Sequence, residues 1–108
     1  MALWNPSATI SPTSSAATPT SVAATTTMQT LIADNSNRKG ASIWNTSNAP
    51  LCIDFGSSAS KTSFAYRVSP GGYYEIPFGY TGIVSGVWDD TGILVLGASG
   101  KALIREFI

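Results

Sequence analysis

The sequence predicts an all-β fold, a small antiparallel β-sandwich or jelly-roll-like barrel of about eight strands with an extended N-terminal arm. From residue 28 onward, short apolar or alternating segments are separated by clusters of Gly, Pro, Asn and Asp, which is typical of β-strands and turns. No part of this region avoids glycine, proline and β-branched residues for the ten or so positions that a helix needs. The turn signals recur about every 8–12 residues, as in a sandwich or barrel.

Residues 1–27 are predicted to be an arm and residues 28–108 the β domain. The first charged side chain is Asp34, and residues 1–30 contain thirteen Ser or Thr and three Pro. Such a composition is typical of a disordered terminus, because it buries too little apolar surface to offset the entropy of ordering. However, a solvated tail has no need of Leu3, Trp4 and Ile10. We therefore expect these three residues to anchor the arm on a neighbouring subunit.

The first four predicted strands cover residues 28–32, 41–45, 51–55 and 62–68. The first is a short apolar run, and the second follows a turn-rich loop at 35–40. In the third, Leu51, Ile53 and Phe55 point to one side of the sheet and Cys52 to the other. A half-buried, unreactive thiol is therefore expected for Cys52. The fourth alternates in the same way between apolar and polar residues.

The last four predicted strands cover residues 73–76, 83–88, 93–96 and 102–108. A Ser-Pro-Gly-Gly turn at 69–72 precedes the first of them, with Pro to preset φ and Gly to accept positive φ. Adjacent residues of a strand face opposite sides, so one of Tyr73 and Tyr74 is expected to point outward. The Asp-Asp-Thr-Gly turn at 89–92 and the Gly-rich loop at 97–100 separate the remaining strands.

Composition argues against most enzyme classes. The chain has 108 residues, a formal net charge of zero, no histidine and one cysteine. Catalysis by Ser-His-Asp or Cys-His is thereby excluded, as are an internal disulfide and a His- or Cys-rich metal site. A neutral chain also lacks the basic surface that binds nucleic acid or anionic lipid. We expect no catalytic, cofactor or metal site, no nucleic-acid partner and no membrane partner.

Two short motifs have ordinary structural explanations. Asp90-Thr-Gly92 matches the active-site triplet of aspartic proteases, in which two carboxylates share a proton at a dimer axis. The same residues are those expected of a turn between strands, which we prefer. Asn45-Thr-Ser47 fits the N-glycosylation triplet, but the start of the chain lacks the features of a secretory signal, so we expect it to be unused.

Four residues of the β domain are candidates for contact with a partner. Arg38 and Lys39 are adjacent bases in a loop, where they either lie in solvent, pair with Glu75 or meet an acidic partner. Tyr73 and Tyr74 belong to an aromatic group in the middle of the domain. Most of this group is expected in the core, and an outward tyrosine would contact a partner or stack on a sugar.

Five segments in order resemble a small domain of tailed-bacteriophage virion proteins. They are residues 37–45 (NRKGASIWN), 51–56 (LCIDFG), 70–77 (PGGYYEIP), 80–88 (YTGIVSGVW) and 100–107 (GKALIREF). The resemblance covers roughly residues 28–108 and excludes the arm. It implies a non-enzymatic β-sandwich module of the particle, of the kind found in capsid decoration (cement) proteins and in tail or fibre proteins.

The resemblance implies a protein on the outer surface of the capsid that stabilises the assembled head. The expected partners are the major capsid protein and other copies of the chain, most simply in a homotrimer. The arm would run over one of these neighbours. Two alternatives stay open: a tail or fibre module that binds a host glycan, which an exposed Tyr/Trp platform would favour, and the aspartic protease.

Overall fold

The computed structural model describes residues 13–91 and 97–108, and this part of the chain forms eight β-strands. The strands are β1 (Ala17–Ala23), β2 (Gln29–Ile32), β3 (Gly40–Asn45), β4 (Leu51–Phe55), β5 (Tyr66–Val68), β6 (Tyr73–Ile76), β7 (Val84–Trp88) and β8 (Lys101–Phe107). They pair antiparallel in two four-stranded sheets. Sheet A has the order β1-β8-β3-β6, and sheet B has the order β2-β7-β4-β5. The prediction of a small all-β antiparallel sandwich is confirmed.

The two sheets enclose one main hydrophobic core. Sheet A contributes Ile43 and Ile104, and sheet B contributes Leu51, Ile53 and Trp88; all five are 0% exposed. The predicted alternation of β4 is confirmed, because Leu51 and Ile53 both point into this core. Full burial of each large apolar side chain stabilises the fold by about 1.5–3 kcal/mol, so the core supplies most of the driving force for folding.

A buried polar network joins the sheets at one end of the core. The Asn45 side chain is fully buried; its Nδ2 donates to the carbonyls of Ala49 and Val68 at 2.8 and 2.9 Å. Its Oδ1 accepts from Ser47 Oγ at 2.6 Å and from Trp88 Nε1 at 3.2 Å. Every polar atom of the Asn45 amide is thus satisfied inside the protein. The side-chain amide of Asn45, to which a glycosylating enzyme would attach a sugar, is therefore inaccessible.

The sheet begins earlier than the sequence suggests. Residues 17–23, which the sequence assigns to the arm, form edge strand β1, paired with β8 over its full length. Even-numbered residues of β1 direct their backbone groups toward β8, as shown by the bonds from Ala24 N to Gly100 O and from Ile108 N to Ala16 O. Pro19 therefore turns its nitrogen, which has no hydrogen, toward the open edge, where no bond is lost. The prolines and hydroxyls that indicate a tail are equally compatible with an edge strand.

Strand β5 is shorter than predicted, and Cys52 is more deeply buried than predicted. β5 covers three residues rather than 62–68, because Ser60 and Ser63 close a turn with reciprocal backbone bonds of 3.0 and 3.3 Å. The loop before this turn covers the outer side of sheet B, where Ala59 packs with Cys52 and Val87. Cys52 is accordingly 0% exposed rather than half-buried. The predicted strand at 93–96 lies outside the described residues.

Candidate binding face on the outside of sheet A

The outer face of sheet A carries the three most exposed large hydrophobic side chains of the described chain. Trp44 on β3 pairs with Tyr73 on β6 and, on its other side, with Leu103 on β8. Trp44 is 49% exposed and Tyr73 is 58% exposed, and Phe78, just beyond β6, is 60% exposed. The neighbours of Trp44 in β3 are buried, so alternation turns its indole outward. The outer face of sheet A thus presents aromatic side chains to solvent.

A trough runs along β3 on this face because β3 places only small residues there before Trp44. Gly40 and Ser42 form its floor, and bulky side chains of β8 and of the β6 side form its walls. One depression of about 470 Å³ lies at the Gly40 end, lined by Ser14, Lys39, Glu75, Phe78 and Phe107 among others. A second of about 230 Å³ is lined by Ser42, Trp44, Tyr73, Leu103 and Arg105. We call the two together the β3 trough.

The dimensions of the β3 trough suit an extended chain. Gly40 and Trp44 are four residues apart in a strand, which corresponds to about 14 Å. The walls on β8 and β6 are separated by two strand spacings, about 9.5 Å. A single extended peptide or a short sugar chain fits such a trough, and Trp44 bounds it at one end.

Opposite charges flank the middle of the trough. Ser42 pairs with Glu75 on β6 and with Arg105 on β8, so the carboxylate and the guanidinium rise on opposite walls. Tyr73 donates its hydroxyl to Glu75 at 3.2 Å, and Arg105 Nη1 donates to the Ile104 carbonyl at 2.9 Å. Within residues 13–91 and 97–108, neither Glu75 nor Arg105 enters a salt bridge. The middle of the trough therefore offers aromatic rings, the Arg105 guanidinium as a donor and the Glu75 carboxylate as an acceptor to a ligand.

The two adjacent tyrosines separate as alternation requires. Tyr73 is the outward residue and belongs to the trough. Tyr74 points inward, packs against the core and stacks on Tyr66 with ring centroids 4.4 Å apart. Burial raises the pKa of the Tyr74 hydroxyl, with a smaller contribution from Tyr66. Of the two tyrosines predicted at a partner surface, only Tyr73 is placed to contact a partner, and Tyr74 ties the edge of sheet A to that of sheet B.

Arg38 is a structural residue rather than the predicted partner contact. Its side chain is 0% exposed and its Nε donates to Glu106 at 2.9 Å. The remaining donors reach the carbonyls of Gly82 at 2.8 Å, Ala33 at 2.7 Å and Tyr80 at 3.1 Å. This guanidinium joins the loop before β3, the loop before β7 and strand β8. A buried cation is stable only when paired and fully bonded, and Arg38 meets both conditions.

The other predicted contact residues divide between the trough and the undescribed terminus. Lys39 lies at the mouth of the β3 trough, half-buried, with its ammonium 3.4 Å from the Asn37 carbonyl. Leu3, Trp4 and Ile10 lie outside the described residues. Lys39 is thus the one predicted base that can reach a molecule bound on this face.

The Asp-Asp-Thr turn uses its two carboxylates differently. Asp89 Oδ1 accepts from the Thr91 hydroxyl at 2.6 Å and from the Thr91 backbone N–H at 3.0 Å. These bonds, with smaller help from Arg67, lower the pKa of Asp89 to about 2. Asp90 lies 3.6 Å from the ammonium of Lys61. The arrangement is that of a turn closed by an aspartate, the interpretation preferred from the sequence.

Two further features concern residues 13–91 and 97–108 alone. Across those residues, His, Cys, Asp and Glu side chains do not gather in threes where a metal ion could be held. No helix in the same stretches is long and apolar enough to cross a membrane.

The sequence did not point to Trp44, Arg105 or Phe107 as parts of the candidate binding face, and Phe78 belonged to the aromatic group that was expected mostly in the core. Trp44 could have been found, because the alternation of β3 around Ile43 and Asn45 turns it outward. Comparison with known proteins finds no matching family model, no matching curated protein and no matching solved structure. The resemblance to virion proteins stays a prediction that rests on the sequence segments.

Proposed function

We propose that the protein is a non-enzymatic bacteriophage structural protein, a capsid decoration protein that binds the assembled head through the outer face of sheet A and its N-terminal arm. The observation that carries this proposal is the exposure of Trp44 and Tyr73 at one end of the β3 trough and of Phe78 at the other. Exposed aromatic side chains grouped on one face are typical of protein interaction sites. The low share of charged residues, 11%, agrees with this function, because the centres of protein interfaces are depleted of charged residues.

The proposed mechanism is stabilisation by mass action. A subunit that binds the assembled lattice but not free capsid protein lowers the free energy of the lattice by RT ln(1 + [L]/Kd) per site. At a free concentration one hundred times the Kd, this amounts to about 2.7 kcal/mol for each site. The major capsid protein and neighbouring copies of the chain, in a homotrimer, are the proposed partners. No reaction is involved.

Binding to heads that lack the protein tests this function. We expect the purified chain to sediment with such heads and to raise the temperature at which they release DNA. Trp44→Ser and Tyr73→Ser should each weaken binding at least about tenfold, the equivalent of 1.4 kcal/mol. Phe64→Ser is the matched control, since Phe64 is an exposed aromatic residue 37% accessible and outside the trough lining. Heads that neither bind the chain nor gain resistance to heat would contradict the proposal.

A second function, binding of a host glycan by a tail or fibre module, is favoured by one observation. Trp44 and Tyr73 form an exposed pair; Glu75 lies beside Tyr73 on β6, and Arg105 lies across the trough on β8. Aromatic faces with neighbouring hydrogen-bonding side chains are suited to stacking on sugar rings. A glycan array probed with the full chain separates the two functions. Glycan binding that Trp44→Ser abolishes, with no affinity for heads, would replace the first proposal by the second.

A further inference from the structure

We propose that the Gly40 end of the β3 trough is the receptor for residues 10–12 of this chain, the part of the N-terminal segment that can reach it from Ser14. In the isolated molecule these residues occupy the trough of their own chain, and in an assembly they occupy that of a neighbouring copy. Trp44 and Tyr73, at the other end of the trough, stay free to contact the head. The inference deepens the proposed function, on which its meaning in the particle depends. The contact itself can be tested on the purified protein.

The position where the described chain begins carries the first part of the argument. Ser14 lines the wider depression of the trough, and its Oγ donates to the Ile108 carbonyl at 2.8 Å. The Ile108 N–H in turn donates to the Ala16 carbonyl at 3.0 Å. These bonds hold residues 14–16 at the mouth of the trough. Ile10 lies four positions before Ser14, a reach of about 13 Å, so it can lie between Phe78 and Phe107.

The chemistry of the segment matches that of the trough. Residues 10–12 are Ile10, Ser11 and Pro12, one apolar residue and one proline with no charged side chain. Proline restricts the segment to extended conformations, so less conformational entropy is lost when it lies in a straight trough. A tether that ends at the mouth also gives the segment an effective concentration in the millimolar range, which makes a weak contact sufficient.

The open edge of β1 is a poor alternative for this segment. A chain added beside β1 would need backbone donors along that edge, and Pro19 removes the donor at its centre. The apolar trough has its own walls and needs no such donors. Exchange of the same contact between copies needs no new surface, because an identical segment fills an identical trough.

Paramagnetic labelling of the full chain tests the contact directly. A nitroxide is attached at Ser7→Cys; Cys52 is 0% exposed, so the label is directed to the new thiol. We expect the amide signals of Gly40, Ser42 and Phe107 to lose most of their intensity. The amide signal of Ala59, which packs on the outer side of sheet B with Cys52 and Val87, should keep much more of its intensity. The same label at Thr62→Cys, an exposed site on the other side of the protein, is the control and should leave the three trough signals unchanged.

Variants of the trough separate docking from chance proximity. Ser42→Tyr fills the floor and should abolish the broadening, whereas Thr20→Tyr, an exposed position on the opposite face of sheet A, should leave it intact. Phe78→Ser removes an exposed wall residue and cannot disturb the core. It should raise the unbound fraction of the segment about tenfold if the wall contributes 1.4 kcal/mol.

Mixing experiments show whether the segment bound in a trough belongs to the same molecule or to a second copy. Isotope-labelled chain without nitroxide, mixed with nitroxide-labelled chain without isotope, should show trough broadening that grows with concentration, as exchange between copies predicts. Broadening that is uniform over the surface, or that persists in Ser42→Tyr, would overturn the proposal. The two proposals can fail separately. If the label shows the segment in the trough but heads do not bind the chain, the proposed function is wrong and this inference stands.

Discussion

Replacement of Arg38 by methionine is the most informative perturbation of the fold. The guanidinium is 0% exposed and meets the Glu106 carboxylate at 2.9 Å, the Gly82 carbonyl at 2.8 Å and the Ala33 carbonyl at 2.7 Å. Methionine fills much of the same space but donates no hydrogen bond. The substitution therefore leaves a carboxylate and several carbonyl groups without their partner at the junction of two loops and β8.

The expected loss of stability follows from these contacts. Removing one partner of a buried ion pair costs about 3–5 kcal/mol, because the other charge remains desolvated. Glu106 keeps 18% of its side-chain surface in solvent, so water partly compensates it and the lower end, about 3 kcal/mol, is expected. Single domains are stable by only about 5–15 kcal/mol, so this loss is a large share of the total.

Urea unfolding followed by tryptophan fluorescence, to which buried Trp88 contributes, measures this loss. Arg105→Met is the matched control: the same change at an exposed residue of β8 should stay within about 0.5 kcal/mol. Arg38→Met combined with Glu106→Leu should recover part of the loss, because no uncompensated charge remains. If the free energy of unfolding of Arg38→Met lies within about 0.5 kcal/mol of the wild-type value, Arg38 does not stabilise the contact between the two loops and β8 as described.

Three further predictions concern single groups. The pKa of Asp89 is lowered to about 2, so the ionised carboxylate contributes about 2 kcal/mol to the free energy of unfolding above pH 4. This contribution is lost as the pH falls from about 4 to 2, and Asp89→Asn should flatten that part of a curve of stability against pH. Gly86→Ala should destabilise the fold by about 1–3 kcal/mol, because the added methyl group would lie 2.6 Å from Leu31 Cδ1 and 3.0 Å from Leu51 Cδ1; unchanged urea unfolding would show that both leucines can move aside. Burial raises the pKa of the Cys52 thiol, so iodoacetamide should modify it much more slowly in the native chain than in urea, and equal rates would contradict its burial.

Strand content and the direction of side chains were predictable from local pattern. The bounds of β4 and β6 were predicted to the residue, and those of β2, β3, β7 and β8 to within one residue at either end. Alternation of apolar and polar residues has the period of a strand, and Gly and Pro mark where the chain turns. The same rule indicated that one of Tyr73 and Tyr74 faces outward.

The candidate site was only partly predictable. Tyr73 and Lys39 were identified, whereas Arg38 was assigned to the surface although it is buried. An arginine in a polar loop resembles a solvated one in sequence. Its burial depends on Glu106, 68 positions away along the chain, and on carbonyl groups of another loop.

By itself the sequence determined that the chain forms short strands, that it carries no histidine and no net charge, and which side chains share a face of each strand. Only the tertiary structure decided the order of strands, the membership of β1 in sheet A and the existence of the β3 trough. The trough arises where Gly40 and Ser42 lie between residues of β6 and β8, which are distant in the chain. Local periodicity specifies the direction of a side chain but not its neighbours, because strand pairing is set by the burial of the whole core.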